Sequence, residues 1–244
     1  MGREYIRLPK TRALPDSSRK KRSLNDDFWI NLIHSHLLKF YNEFDVHELS
    51  KLINIEKAKT SRKHIEDLIK DYIYSWFVEH NKKIFREGII LNLESKVKYN
   101  QNGFYDMKFQ HSDWVDMGAK MLKYYSLECK NLTSKNPCID EYVFNNSKKD
   151  GGVYRHFNGK YAQNNSFGGM LGFILDGDPE IIREKIIVKL KSPFDNSPEG
   201  DLVGNGILPN SIEGNDFTFN SKHVRLSKFF TLHHILFNIQ SPEN

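Results

Sequence analysis

Tyr124-Tyr125-Ser126-Leu127-Glu128-Cys129-Lys130 is the stretch from which the rest of the chain is read. Its aromatic and aliphatic run predicts a strand, the third of the chain, over Lys123 to Leu132. In extended backbone alternate side chains share a face, so Glu128 and Lys130 project together while Leu127 and Cys129 project oppositely. A carboxylate and an ammonium on so apolar a strand are costly to bury unless paired or metal-bound. An exposed edge-strand ion pair satisfies the same spacing, so Glu-x-Lys alone fixes no chemistry.

Upstream, Phe104-Tyr105-Asp106-Met107-Lys108-Phe109 follows the turn residues Asn100-Gln101-Asn102-Gly103. With a first strand over Ile89 to Tyr99 and a second over Phe104 to Gln110, this reads as a β-hairpin. Alternation puts Tyr105, Met107 and Phe109 on one side and Asp106 on the other. Asp106 meets Glu128 and Lys130 if the second and third strands pair at that level. His111 to Lys120 is a long polar stretch between strands, and it keeps Asp113 and Asp116 open as alternatives to Asp106.

Before the hairpin, Ile65, Leu68, Ile69, Tyr72, Ile73, Trp76 and Phe77 recur at helical spacing, with Thr60 or Ser61 as the N-cap. Glu66 lies at the flank of that stripe, where a helix packed on a sheet can aim a carboxylate along the interface. An earlier amphipathic helix runs from an Asn25 or Asp26 cap through Phe28, Leu32, Ile33, Leu37 and Phe40 or Tyr41. Residues 1–24 carry Arg19-Lys20-Lys21-Arg22 and read as a flexible basic arm able to touch phosphates. Past the third strand, Ile139 to Tyr161 should contain a helix, with Gly151-Gly152 marking a loop. Met170 to Leu175 reads as a buried central strand. Pro179 opens a helix that continues to Leu190. Residues 192–216 read as a long loop, and a last strand or strand pair covers His223 to Ile239. This order predicts one α/β domain over residues 25–244, with a central mixed β-sheet flanked by helices and an N-terminal helical segment.

Composition narrows the class. Of 244 residues, 36 are Lys or Arg and 31 Asp or Glu, a net charge of +5 that permits an anionic partner. A hydrophobic share of 39% suits a globular core. Cys129 and Cys138, the only two cysteines, exclude a disulfide framework and a four-cysteine zinc site. No apolar run approaches the roughly 18 residues of a membrane span, and the N-terminus is too charged for a secretory signal. A cytoplasmic, soluble protein is the expectation. No Walker A loop, Gly-x-Ser-x-Gly elbow or His-Glu-x-x-His occurs, and Gly204-Asn205-Gly206 lacks the third glycine of a dinucleotide fingerprint. His233 and His234 are adjacent on a strand and point to opposite faces, which makes them poor joint ligands. Cys129 reads as a buried core thiol.

An acidic residue on the second strand followed by Glu-x-Lys on the third resembles the PD-(D/E)xK superfamily of restriction-endonuclease-like nucleases. Helix, hairpin with Asp106, strand with Glu128-Cys129-Lys130, helix, then the Met170 strand is similar to that core over roughly residues 60–190. Tyr105 stands where the superfamily motif has proline. Gly159-Lys160-Tyr161, Gly169 to Gly177 and Ser221-x-His223-x-Arg225 more narrowly resemble uncharacterised bacterial members associated with phage defence or restriction.

The resemblance implies a Mg²⁺- or Mn²⁺-dependent endonuclease that hydrolyses DNA phosphodiesters. Asp106, Glu128 and the backbone carbonyl of Cys129 would hold the metal. Lys130 would sit by the attacking water and the scissile phosphate, and Glu66 would complete the site or hold a second metal. Lys160, Tyr161, His223 and Arg225 would contact nucleic acid. A partner ATPase or sensor subunit and a homodimer are further implied partners, and a membrane is not. The rival is a catalytically inactive nucleic-acid-binding or complex-forming subunit with the same fold.

Overall fold

The structure is a computed structural model that describes residues 25–59, 62–96, 104–118, 120–158, 161, 165–209, 212 and 215–240. The basic arm at residues 1–24, the Asn100 to Gly103 turn, the Thr60 or Ser61 cap and Lys160 lie outside the described residues.

Four helices come first: α1 (Asp26–Glu43), α2 (Val46–Lys59), α3 (Arg62–Glu79) and the short α4 (Lys83–Arg86). Strands β1 (Ile90–Lys96), β2 (Phe104–Asp116) and β3 (Met121–Thr133) follow, then α5 (Asn136–Tyr142) and a 3-10 turn at Tyr154–His156. The chain continues through β4 (Phe167–Asp176), α6 (Pro179–Leu190), β5 (Leu202–Leu208), β6 (Phe219–Arg225) and β7 (Lys228–Asn238). The seven strands form one mixed sheet in the order β1-β2-β3-β4-β7-β6-β5. β3, β4 and β7 run parallel to one another, and the remaining pairs are antiparallel. Among the described residues no helix is long and apolar enough to cross a membrane.

Alternation along the central strands splits the interior into two layers. Leu127 and Cys129, with Leu171, Phe173, Ile235 and Phe237, face α1, α2 and α3. Leu132, Met170, Ile174, Leu232 and Leu236 face α5 and α6. The α3 stripe is buried as its spacing predicts, with Ile69, Ile73 and Phe77 at 1% exposure or less. Caps follow local chemistry. Asn25 Oδ1 accepts the Phe28 N–H at 3.0 Å, and Asp178 Oδ1 accepts the Glu180 N–H at 2.8 Å ahead of Pro179.

Several boundaries differ from the sequence reading. α2 was not anticipated, because only Leu49 and Ile53 are buried on it; Asp45 caps it by accepting the His47 and Glu48 N–H groups. The polar stretch after Gln110 is not a loop. β2 runs on to Asp116 and resumes pairing at Val115↔Leu122 after an irregularity. Its far end is pinned by Asp26, whose carboxylate accepts from Trp114 Nε1 at 2.9 Å and Lys123 Nζ at 2.8 Å. Residues 192–216 contain β5, an edge strand whose glycines and interrupted pairing with β6 hide its period. The Ile139 to Tyr161 segment is helical only to Tyr142, apart from the 3-10 turn.

Candidate functional site

The β2–β3 ladder pairs Met107 with Leu127 and goes no further toward the start of β2. One residue beyond, side-chain chemistry replaces backbone pairing: Asp106 Oδ2 accepts the Cys129 N–H at 2.7 Å. A strand N–H left without its ladder partner is thereby satisfied, and the Asp106 carboxylate is held against the Glu128-Cys129-Lys130 segment. Tyr105 departs from the expected alternation at this point. It packs with Tyr124 and Tyr161, apart from the cluster that holds Met107 and Phe109.

Lys130 is the hub. Its Nζ lies 2.6 Å from the Cys129 carbonyl oxygen, 2.8 Å from Glu128 Oε1 and 3.3 Å from Glu66 Oε1. Glu128, 1% exposed, is fully engaged. Its Oε1 also meets Arg155 Nη1 at 2.6 Å, and its Oε2 accepts from the Tyr161 hydroxyl at 2.7 Å. Arg155 is in turn gripped side-on by Asp150, Nε to Oδ1 at 3.0 Å and Nη2 to Oδ2 at 2.7 Å. Gly152 lets this loop lie on the strand, since a Cβ there would come within 2.5 Å of Met170 Cε and 3.3 Å of Glu128 Cγ. A second ammonium, Lys70 of α3, contacts Asp67 Oδ1 at 2.8 Å, Asp106 Oδ1 at 3.3 Å and Glu94 Oε1 at 3.6 Å.

Acids outnumber cations here, and the protonation equilibria reflect it. Burial, reinforced by the charges of Asp106 and Glu128, raises Glu66 to about 7 although Lys130 opposes it. Burial and the Glu128 charge raise Asp106 to about 6 against Lys130, Lys70 and the Cys129 N–H. For Glu128 burial is outweighed by Lys130, Arg155 and hydrogen bonds, so its carboxyl sits below the usual glutamate range. Lys130 and Lys70 lose some basicity to burial but gain more from their carboxylates and stay charged. Burial pushes the Cys129 thiol well up, consistent with an inert core cysteine.

Asp106, Glu128, Cys129, Lys130 and Glu66 therefore meet at one place, with Glu94 on the Lys70 side of it. Asp113 and Asp116 do not join them; they lie at the other end of the hairpin, where Asp116 pairs with Met121. Tyr161, His223 and Arg225, expected to contact nucleic acid, are buried. Tyr161 is buried against Glu128, and His223 and Arg225 are buried on the inner side of β6. His223 is bound to Ser221 and Gly200 O, and Arg225 Nη2 donates to Tyr161 O at 2.8 Å. Their alternation is as read, but the face they share is interior. His233 and His234 do diverge, toward Gly168 O and toward Tyr142 and Ser221 respectively. Lys70, Arg155 and Asp150 were missed. Lys70 had a usable signal, four residues after Glu66 on the same helix flank; Arg155 sits after a glycine pair with no periodicity to flag it.

Oxygen donors suit a hard divalent cation, and three oxygens already converge on one positive charge, the Lys130 ammonium. Among the described residues no group of three or more histidine, cysteine, aspartate or glutamate side chains is arranged to hold a metal ion outright. As the side chains stand, the donor set does not hold such an ion. Comparison of the chain with protein-family models, with curated proteins and with solved structures finds no match.

Proposed function

We propose that this chain is a Mg²⁺- or Mn²⁺-dependent nuclease that hydrolyses phosphodiester bonds of DNA, of the PD-(D/E)xK kind and serving phage defence or restriction. One observation carries the hydrolytic reading: Glu128 Oε1, Glu66 Oε1 and the Cys129 carbonyl gather round a single cation beside Asp106. The order α3, β1, β2, β3, α5, β4 around that point supports the superfamily core, and the defence role rests on the resemblance alone.

In this reading Glu128, the Cys129 carbonyl and Asp106 would hold the divalent ion. When bound, the ion supplies Lewis acidity and positive charge against the negative charge that builds on the phosphate. Lys130 would sit by the scissile phosphate and stabilise the same charge. Glu66, 3.3 Å from Lys130 Nζ, would complete the site or hold a second metal. Arg155 and Tyr161 keep Glu128 ionised and oriented. Basic residues of the arm add salt-sensitive affinity for the polyanion. A second copy of the chain, a partner ATPase or a sensor subunit would complete the assembly.

A second reading has its own support. Both oxygens of Glu128 are already taken by Lys130, Arg155 and Tyr161, as in a site closed by internal ion pairs. A nucleic-acid-binding subunit without catalysis fits that. The full chain incubated with plasmid DNA and Mg²⁺ or Mn²⁺ distinguishes them. Cleavage that Glu128→Gln lowers by about 10²-fold or more supports the nuclease, whereas DNA binding with no cleavage by the intact chain supports the rival.

A further inference from the structure

Two cavities, about 550 and 220 Å³, flank α2 and share Ser50 and Asn54. The larger follows one stripe of the helix past His47 and Lys51. The smaller runs from Lys57 to Leu175, Ile239 and Gln240, at the carboxyl ends of β4 and β7. Together they make one groove, and no acidic residue lines it in a chain that has 31. Lys51, Asn54 and Lys57 are exposed, and among the described residues their side chains make no ion pair or hydrogen bond. Nearby acids turn elsewhere. Glu48 accepts the Tyr72 hydroxyl at 2.8 Å, and Asp176, next after Leu175 on β4, points to the opposite face. The floor is fixed to the sheet: Ser50 Oγ lies 3.4 Å from Ile239 O, and Gln240 Nε2 donates to Gly177 O at 2.8 Å.

Resting on the nucleic-acid reading above, we propose that this groove seats the sugar-phosphate backbone of DNA, with Lys51 and Lys57 each on a phosphate and the Asn54 amide donating between them. At 100° per residue the two lysines stand about 60° to either side of Asn54, and about 9 Å apart along the helix. Ser50, Asn54 and Ala58 keep the floor low between these rims. Docking a polyanion here breaks no ion pair and faces no carboxylate, so the release of its counterions is opposed by nothing in the groove. The groove also adjoins the candidate site. α2 ends at Lys59, α3 begins at Arg62, and Glu66 lies one turn further on. Gly172, the register partner of Lys130, is three residues before Leu175, about 10 Å along β4. One DNA molecule therefore spans the groove and the Glu128 to Lys130 segment.

The test titrates the full chain into a fluorescently labelled DNA duplex in EDTA and follows anisotropy. Lys51→Gln with Lys57→Gln alters two exposed side chains and melts like wild type. It weakens binding roughly tenfold or more at about 0.1 M salt, and its plot of log K against log salt is shallower by about 1.8, two phosphate contacts at about 0.9 each. Lys191→Gln with Lys228→Gln removes the same charge after α6 and at the start of β7, the end of that strand far from Ile239, and keeps affinity and slope near wild type. That contrast supports the proposal, with or without cleavage by the intact chain. Equal losses in the two double variants overturn it, since net charge alone then accounts for the effect. So does an unchanged slope in the groove variant, or an intact chain that cuts plasmid DNA without binding the duplex. An intact chain that neither binds nor cuts DNA overturns the nucleic-acid reading and this proposal with it.

Discussion

Asp106 and Cys129 face each other at the point where β2 parts from β3, and the aspartate carboxylate accepts the cysteine N–H at 2.7 Å. A single side chain thus ends the ladder and starts the site. Asp106→Asn keeps one acceptor oxygen for that N–H but turns an NH2 donor toward Lys70, so it costs stability, though less than removal of the side chain. Asp106→Ala leaves both the N–H and Lys70 short of a partner and costs about 1–3 kcal/mol. Urea unfolding of the two variants checks this; equal stabilities would mean the contact is idle.

Lys130 competes for the oxygens that would bind a metal ion. Lys130→Met removes the competitor, so Mn²⁺ affinity rises by roughly tenfold, about 1.4 kcal/mol, while cleavage is lost. Calorimetric titration checks the first outcome and plasmid cleavage the second. Weaker Mn²⁺ binding in this variant would show that the lysine does not stand at the cation's place.

Acid should unfold this protein. Burial keeps the imidazoles of His34, His156, His223, His233 and His234 below their ordinary value of 6.5, His156 at about 3 and His223 and His233 at about 4. Each takes up a proton more readily when unfolded, so its contribution is whole above pH 6.5 and shrinks as pH falls below it. Glu66 and Asp106 act oppositely. Their folded values are raised to about 7 and about 6, so what they contribute is present below their ordinary values and lost as pH rises through the folded ones. Five imidazoles outweigh two carboxyls, and stability drops between pH 6.5 and 4.5 by roughly 1.4 kcal/mol per pH unit for each net proton taken up on unfolding. Thermal melts across that window test the sign. Glu66→Gln should, in addition, be more stable than wild type above pH 7.

Ser221 links two of those histidines, at 2.6 Å from His223 Nε2 and 2.7 Å from His234 Nε2. The Gly200 carbonyl can only accept, so His223 Nδ1 donates to it and His223 Nε2 accepts the Ser221 hydroxyl proton. His234 Nε2 then donates to Ser221 Oγ, and Tyr142 donates to His234 Nδ1. Every member is satisfied with both rings neutral. Ser221→Ala breaks the chain in its middle and costs about 1–3 kcal/mol, read by urea unfolding, and ring-nitrogen NMR shifts check the tautomers.

Tyr161 holds Glu128 from the side away from Lys130. Tyr161→Phe removes a hydrogen bond to a buried charge, worth about 1.5–3 kcal/mol, and raises the Glu128 pKa. A cleavage profile that loses activity at higher pH than wild type on acidification would register that shift; an unchanged profile with unchanged stability would count against the contact.

Local physics made much of this legible in the sequence. The stripe from Ile65 to Phe77, the Asn25 cap, the helix opened by Pro179 and the alternation of Leu127, Glu128, Cys129 and Lys130 depend on neighbours within a turn or a strand. They hold whatever the rest of the chain does. The sequence also singled out the three charged side chains Asp106, Glu128 and Lys130, because a carboxylate or ammonium on an apolar strand demands a partner. What lies on one strand face was readable; whether that face was inside was not. His223 and Arg225 alternate as expected yet are buried, since β6 is covered by segments far away in the chain.

Tertiary structure alone decided who the partners are. Lys70, Glu94 and Asp106 come from a helix and two strands, and Arg155 arrives from a loop after a glycine pair, so no spacing rule connects them. The polar stretch beyond Gln110 became strand because Asp26, at the start of α1, anchors its far end. Periodicity encodes which side of an element is apolar; only packing sets the dielectric and the neighbouring charges that leave Glu66 near neutrality while Glu128 stays ionised.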